Sequence, residues 1–158
     1  MLDHHPRAIV LKPHGSFDWY RSGGKAFRST IELESSRAII TPGLNKYRAG
    51  YNSPFDLHRE LANEHIRGAA RLLIIGYGFN DDHLQTHLLS RINNGTPTLI
   101  LTRSISEQVA TLAKESPGCV CIGITPDGNG VRAVSNNSCT DHPGAQFWDI
   151  NALVQEVL

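Results

Sequence analysis

Long apolar runs, net charge and cysteine are all in short supply in this sequence, and each shortage excludes something. No apolar run approaches the ~20 residues that span a bilayer, so no membrane association is expected. The opening segment, MLDHHPRAIV, lacks the charged-then-apolar layout of a secretory signal, which makes the cytoplasm the expected location. The chain's 15 basic and 15 acidic residues cancel. That balance argues against a nucleic-acid binder working through bulk electrostatics, while a local basic patch stays open. The three cysteines, Cys119, Cys121 and Cys139, contain no C-x-x-C pair and are too few for a disulfide framework. Cys119 and Cys121 alternate within an apolar stretch and so share one face of a strand, where burial is favoured over metal binding. Internal repeats and low-complexity tracts are absent as well.

What is present is an ordinary globular composition: 158 residues, 40% hydrophobic and 19% charged, enough for one domain over 1–158 with a real core. RAIVLK, residues 7–12, reads as a short buried strand. Residues 16–53 read as a small excursion holding one or two short strands, with Pro42-Gly43 as a turn signal. From Pro54 the pattern turns helical, with Leu57, Leu61 and Ile66 near one face and Gly68 near the end. RLLIIGY then reads as a strand buried on both faces. Leu84, Leu88 and Ile92 stand at helical spacing before an Asn94-Gly95 stop, and TPTLILT is another buried strand. Ser104-Ile105-Ser106-Glu107 reads as a capping box opening a helix that runs to Pro117-Gly118. CVCIGI is a further strand, 125–146 a loop-rich stretch, and FWDINALVQEVL a closing amphipathic helix. Helices and strands alternating in this way predict an α/β fold with a parallel sheet and crossover helices.

Three features could carry chemistry. The sharpest is IIGYGFNDDH, where a strand runs into Gly76-Tyr77-Gly78 and a helix opens near Asn80. Glycines there allow backbone N–H groups to approach a ligand, and a helix N-terminus suits phosphate. Asp81 stands where the third glycine of G-x-G-x-x-G belongs, so a plain tight turn remains an equal reading. His83 and His87, one helical turn apart beside Asp81 and Asp82, could share a metal. A solvated, acid-capped first turn accounts for them better. His14, in LKPHGSFDWY, follows the apolar run AIVLK as Gly76 follows LLII and Thr102 follows TLIL. In a parallel sheet all three would sit at the carboxyl edge, where open α/β sheets bind ligands. His14 is then either a general base or a histidine that caps its own turn.

KPHGSFDW followed later by LLIIGYGFNDDH resembles the C-terminal half of the sirtuin-like family, over about Ile9 to Thr102 with a tail to Leu158. The closer match is the zinc-free bacterial branch of NAD-consuming antiphage-defence proteins. The resemblance implies a Rossmann-like, sirtuin-type parallel-sheet domain lacking its N-terminal βαβ units, and NAD as substrate or ligand. It implies that His14 is the catalytic base acting on the nicotinamide-bearing ribose. Gly15 and Ser16 would complete that motif. Gly76, Tyr77, Gly78 and Phe79, with Asn80 and Asp81, would line the dinucleotide, and Thr102 and Arg103 would meet the adenosine ribose. No zinc is expected, because residues 16–53 contain no cysteine where the deacetylases carry a four-cysteine module. The family's Gly-Ala-Gly-x-Ser phosphate loop and its asparagine motif have no counterpart, so the chain reads as beginning within the domain. Two functions follow as expectations. One is an NAD hydrolase cleaving the nicotinamide–ribose bond once the site is complete. The other is a non-catalytic module that binds a nucleotide or a protein partner. Self-association, or a partner chain supplying the missing half, goes with either. A metal-dependent hydrolase built on Asp81, His83 and His87 is a third, weaker reading.

Overall fold

The computed structural model describes residues 8–40, 53–79 and 82–157. The chain divides into two compact units, Met1–Glu64 and His65–Leu158.

In the first unit β1 (Gly15–Ser22) is the centre of a three-stranded sheet, with β2 (Lys25–Arg28) on one side and β3 (Arg37–Ile39) on the other. Both pairings are antiparallel, Tyr20 standing opposite Phe27 and Arg37. The register with β3 slips between Gly15 and Tyr20, so β1 bulges there. Tyr20, Ala38 and Phe55 form the buried centre of this unit. Arginines cover the rings: the Arg21 guanidinium lies 5.3 Å from the Phe55 centroid and that of Arg37 5.1 Å from Tyr20. Helix α1 (Phe55–Gly68) begins in this unit and ends in the second.

Of the strand expected at 7–12, the described residues 8–12 form none. Residues 8–12 pair with no other strand among the described residues, and Ile9 and Val10 are 64% and 72% exposed. The Lys12 N–H donates to the His58 ring nitrogen Nδ1 (3.3 Å) and the Lys12 carbonyl accepts from Gly15 (2.9 Å), bonds of a turn rather than a ladder. His14 therefore precedes an antiparallel strand, and its expected position at the end of a parallel strand is corrected. Leu57, expected to be inward on α1, is exposed, and the buried residues of that helix are Phe55 and Asn63. The Pro42-Gly43 turn signal lies outside the described residues.

The second unit holds a five-stranded sheet in the order β4-β5-β6-β7-β8. Strands β4 (Leu72–Ile75), β5 (Thr98–Leu101) and β6 (Cys119–Ile124) are parallel, with Leu73, Leu99 and Val120 in one row and Ile74, Ile100 and Cys121 in the next. Helix α2 (Asp82–Asn93) connects β4 to β5, and α3 (Glu107–Glu115) connects β5 to β6. Leu88 and Ile92 of α2 and Val109 and Ala113 of α3 pack with Ile74, Ile100, Cys119 and Cys121 in one core. Both crossover helices thus cover the same sheet face. Helix α2 stops where Asn94-Gly95 predicts: Gly95 N–H bonds the Ile92 carbonyl and Thr96 N–H the Arg91 carbonyl, a Schellman arrangement.

Four further expectations change. Ser106, rather than Ser104, caps α3, its hydroxyl accepting the Val109 N–H at 3.3 Å. The stretch 125–146 is not a loop but carries β7 (Gly130–Ser135) and β8 (Ser138–Pro143), an antiparallel hairpin that extends the sheet. β4 is not buried on both faces, since Leu73 and Ile75 are 56% and 53% exposed while Ile74 between them is buried. The closing helix, α4 (Ile150–Val157), starts later than expected, after Asp149, whose carboxylate accepts from the Asn151 and Ala152 N–H groups. The architecture is mixed α/β around a partly parallel sheet, compatible with a Rossmann-like fold. No described helix is long and apolar enough to cross a membrane.

Candidate functional site

The carboxyl ends of β4, β5 and β6 lie side by side because the ladder runs in register to its last rung. Gly76 N–H donates to the Leu101 carbonyl (2.9 Å) and Thr102 N–H to that of Ile122 (3.0 Å). Beyond this rung the backbone turns away at Gly76, which has φ +63° and nothing within 4 Å of where a Cβ would stand. A left-handed turn at a strand end that opens towards a helix is the local geometry that brings backbone close to a bound anion. Because its own N–H is spent on Leu101, Gly76 supplies the turn and not a donor. Tyr77 and Gly78 follow; Phe79 has φ +55° and its side chain is buried in the core, with the Tyr77 ring edge-on at 4.9 Å. Phe79 can therefore offer a ligand only its backbone. Asn80 and Asp81 lie outside the described residues.

At the neighbouring strand end the Thr102 hydroxyl donates to the Ser104 carbonyl (3.1 Å) and the Arg103 carbonyl accepts from Ile124 N–H (3.1 Å). Arg103 is exposed. After β6 the chain forms a tight turn. The Thr125 hydroxyl donates to Asp127 (2.5 Å), which also accepts from Asn129 N–H (3.2 Å). These bonds, the Thr125 hydroxyl first, hold the Asp127 carboxyl below its usual range. Next to this turn a cleft of about 250 Å³ is lined by Ile124, Gly128, Asn129, Gly144, Gln146 and Trp148. The cleft is not legible in the sequence, because it needs the turn before β7 and the end of β8 together, and that hairpin has the composition of a loop.

In the first unit His14, Gly15 and Ser16 share one turn and the start of β1. His14 is exposed and its carbonyl accepts from Ile40 N–H at 2.9 Å. Gly15 has φ +82°, and a Cβ there would meet the Ala38 carbonyl oxygen and stand 2.8 Å from the Phe55 ring. Lys12 and Ser16 clamp the turn from either side, Lys12 Nζ donating to the Ser16 hydroxyl at 2.7 Å. Lys12 also pairs with Asp18 (3.5 Å), which bonds Arg28 Nε at 2.5 Å. The Ser16 hydroxyl first, then Arg28, hold the Asp18 carboxyl well below the usual carboxylate range. His14, Gly15 and Ser16 thus belong to one unit, and Gly76 to Phe79 with Thr102 and Arg103 to the other.

The remaining candidates are quickly placed. Cys119 and Cys121 are buried, and burial pushes both thiols up, Cys121 to about 12, so neither is a thiolate near neutral pH. Among the described residues no three His, Cys, Asp or Glu side chains are grouped to hold a metal ion. Of the histidine pair, the His83 side chain and all of Asp81 lie outside the described residues. No protein-family model, no curated protein and no solved structure matches the chain.

Proposed function

We propose that this chain is the nucleotide-handling part of a sirtuin-like NAD hydrolase of the bacterial antiphage-defence type. The observation that carries the reading is the edge just described, where the ends of three parallel strands meet a left-handed glycine turn followed by a helix. That arrangement suits the diphosphate and ribose groups of a dinucleotide. His14 is the base. It takes a proton from a ribose hydroxyl or from the attacking water as the nicotinamide–ribose bond breaks through an oxocarbenium-like transition state. Water and NAD then give ADP-ribose, nicotinamide and a proton. The support for His14 is its motif, with an exposed imidazole on a turn held by Lys12, Ser16 and Ile40. The test is release of nicotinamide from NAD by the purified chain. His14→Ala should lower the rate by about 100-fold or more, and full activity in that variant would remove His14 from the mechanism.

A second reading has its own observation. Leu73 and Ile75 are exposed on β4, and Val120 is exposed in the same row as Leu73. An apolar sheet face of this kind favours a module that pairs with a second chain, the form expected if another polypeptide supplies the phosphate loop. A chain that binds NAD, releases no nicotinamide and sediments as a stable oligomer is what this reading predicts.

A further inference from the structure

The first unit carries a second concavity that the NAD reading does not use. It is a cleft of about 230 Å³ lined by Trp19 of β1, Ala26, Phe27 and Arg28 of β2, Pro54, and His58 of α1. Its walls are mostly apolar. Trp19 stands with its ring 4.8 Å from that of His58 and stacks at 6.5 Å on Phe55, which is itself buried. The tryptophan is therefore held in place by packing, as a platform should be.

Besides Trp19 with its indole N–H, two of the lining residues carry polar side chains, His58 and Arg28, and both have N–H groups to donate. His58 accepts the Lys12 N–H on Nδ1, which leaves Nε2 as the ring's N–H donor. Arg28 spends Nε on Asp18, and its guanidinium has further N–H groups on the two terminal nitrogens. No acceptor side chain lines the cleft. A guest consequently has to bring the acceptor, together with a flat apolar body. The space suits a single ring, being below the usual size of a drug-sized pocket. Asp18 already offsets much of the Arg28 charge, so a neutral acceptor fits as well as an anion.

We propose that this cleft is a binding site for a planar aromatic ring bearing an exocyclic carbonyl or carboxylate oxygen, the ring against Trp19 and the oxygen taken by His58 and Arg28. The proposal is independent of NAD cleavage and of the second unit. The chain has two tryptophans, Trp19 and Trp148, one in each unit, so the indole N–H signals of the 15N-labelled full chain give a reporter and an internal control. Benzamide, benzoate and toluene are the probes. Benzamide, benzoate or both should move the Trp19 signal saturably in the low-millimolar range with Trp148 unmoved, and toluene should bind about ten-fold more weakly. Preference for benzamide over benzoate, or the reverse, identifies a neutral or a charged natural ligand. Arg28→Met and His58→Phe, each checked for folding by cooperative unfolding, should weaken the oxygen-bearing probes about five-fold or more and leave toluene unchanged. Arg28→Met alone suffices if His58→Phe does not fold. Equal binding of toluene, unchanged affinity in the folded variants, or a Trp19 signal that no probe moves would each overturn the proposal.

Discussion

Gly15 and Gly76 both hold left-handed backbone, with φ +82° and +63°, yet they answer to different demands. At Gly76 the space beside the backbone is open, so alanine pays only the conformational strain. At Gly15 the same strain is joined by collision with the Ala38 carbonyl and the Phe55 ring. Gly76→Ala should therefore cost about 1 kcal/mol, and Gly15→Ala about 2 kcal/mol or more, as measured by urea unfolding. Equal losses at the two positions would mean that packing around the His14 turn is looser than described. The glycine after His14 is thus needed by the fold whatever the histidine does. Phe79 carries a comparable lesson: its place in GYGF suggests a ligand contact, while its side chain is part of the core.

Strands β1 and β2 are tied by charge as well as by their ladder, through Lys12, Ser16, Asp18 and Arg28. Asp18 is the titrating member, with its folded pKa depressed below the unfolded value of about 4. Its contribution is fully present above about pH 4 and is lost as the pH falls through the folded value. The stability difference between wild type and Asp18→Asn should therefore stay constant from about pH 7 to pH 5 and shrink below about pH 4. High salt should reduce it throughout, because these side chains are solvent-accessible. A difference independent of pH would remove Asp18 as the titrating group. The elements that could be read from sequence share a property. α2, β5, α3 and β6 each carry a periodic or continuous apolar run, and the helices end at local stops, Asn94-Gly95 and Pro117-Gly118. β8 could not be read, because all of it is exposed and it carries no apolar alternation, being held by its ladder to β7. Residues 8–12 mislead for the opposite reason: the apolar run is there, but no strand among the described residues pairs with it. The Trp19–His58 cleft escaped because it needs β1, β2 and α1 brought together across the chain.

The parallel ladder and its glycine turn belong to His65–Leu158, and the histidine turn belongs to Met1–Glu64. The glycine turn could be anticipated because strand, glycine and helix are contiguous in sequence. The position of His14 could not, because it rests on a parallel strand that the described residues do not form. The proposed function requires that the carboxyl edge of β4, β5 and β6 take the dinucleotide. Backbone amide signals of the labelled chain, followed during titration with NAD, address this directly. Saturable shifts of Gly76, Tyr77, Gly78, Thr102 and Arg103 are expected. If those signals stay fixed through millimolar NAD while the chain remains folded, the central claim is contradicted.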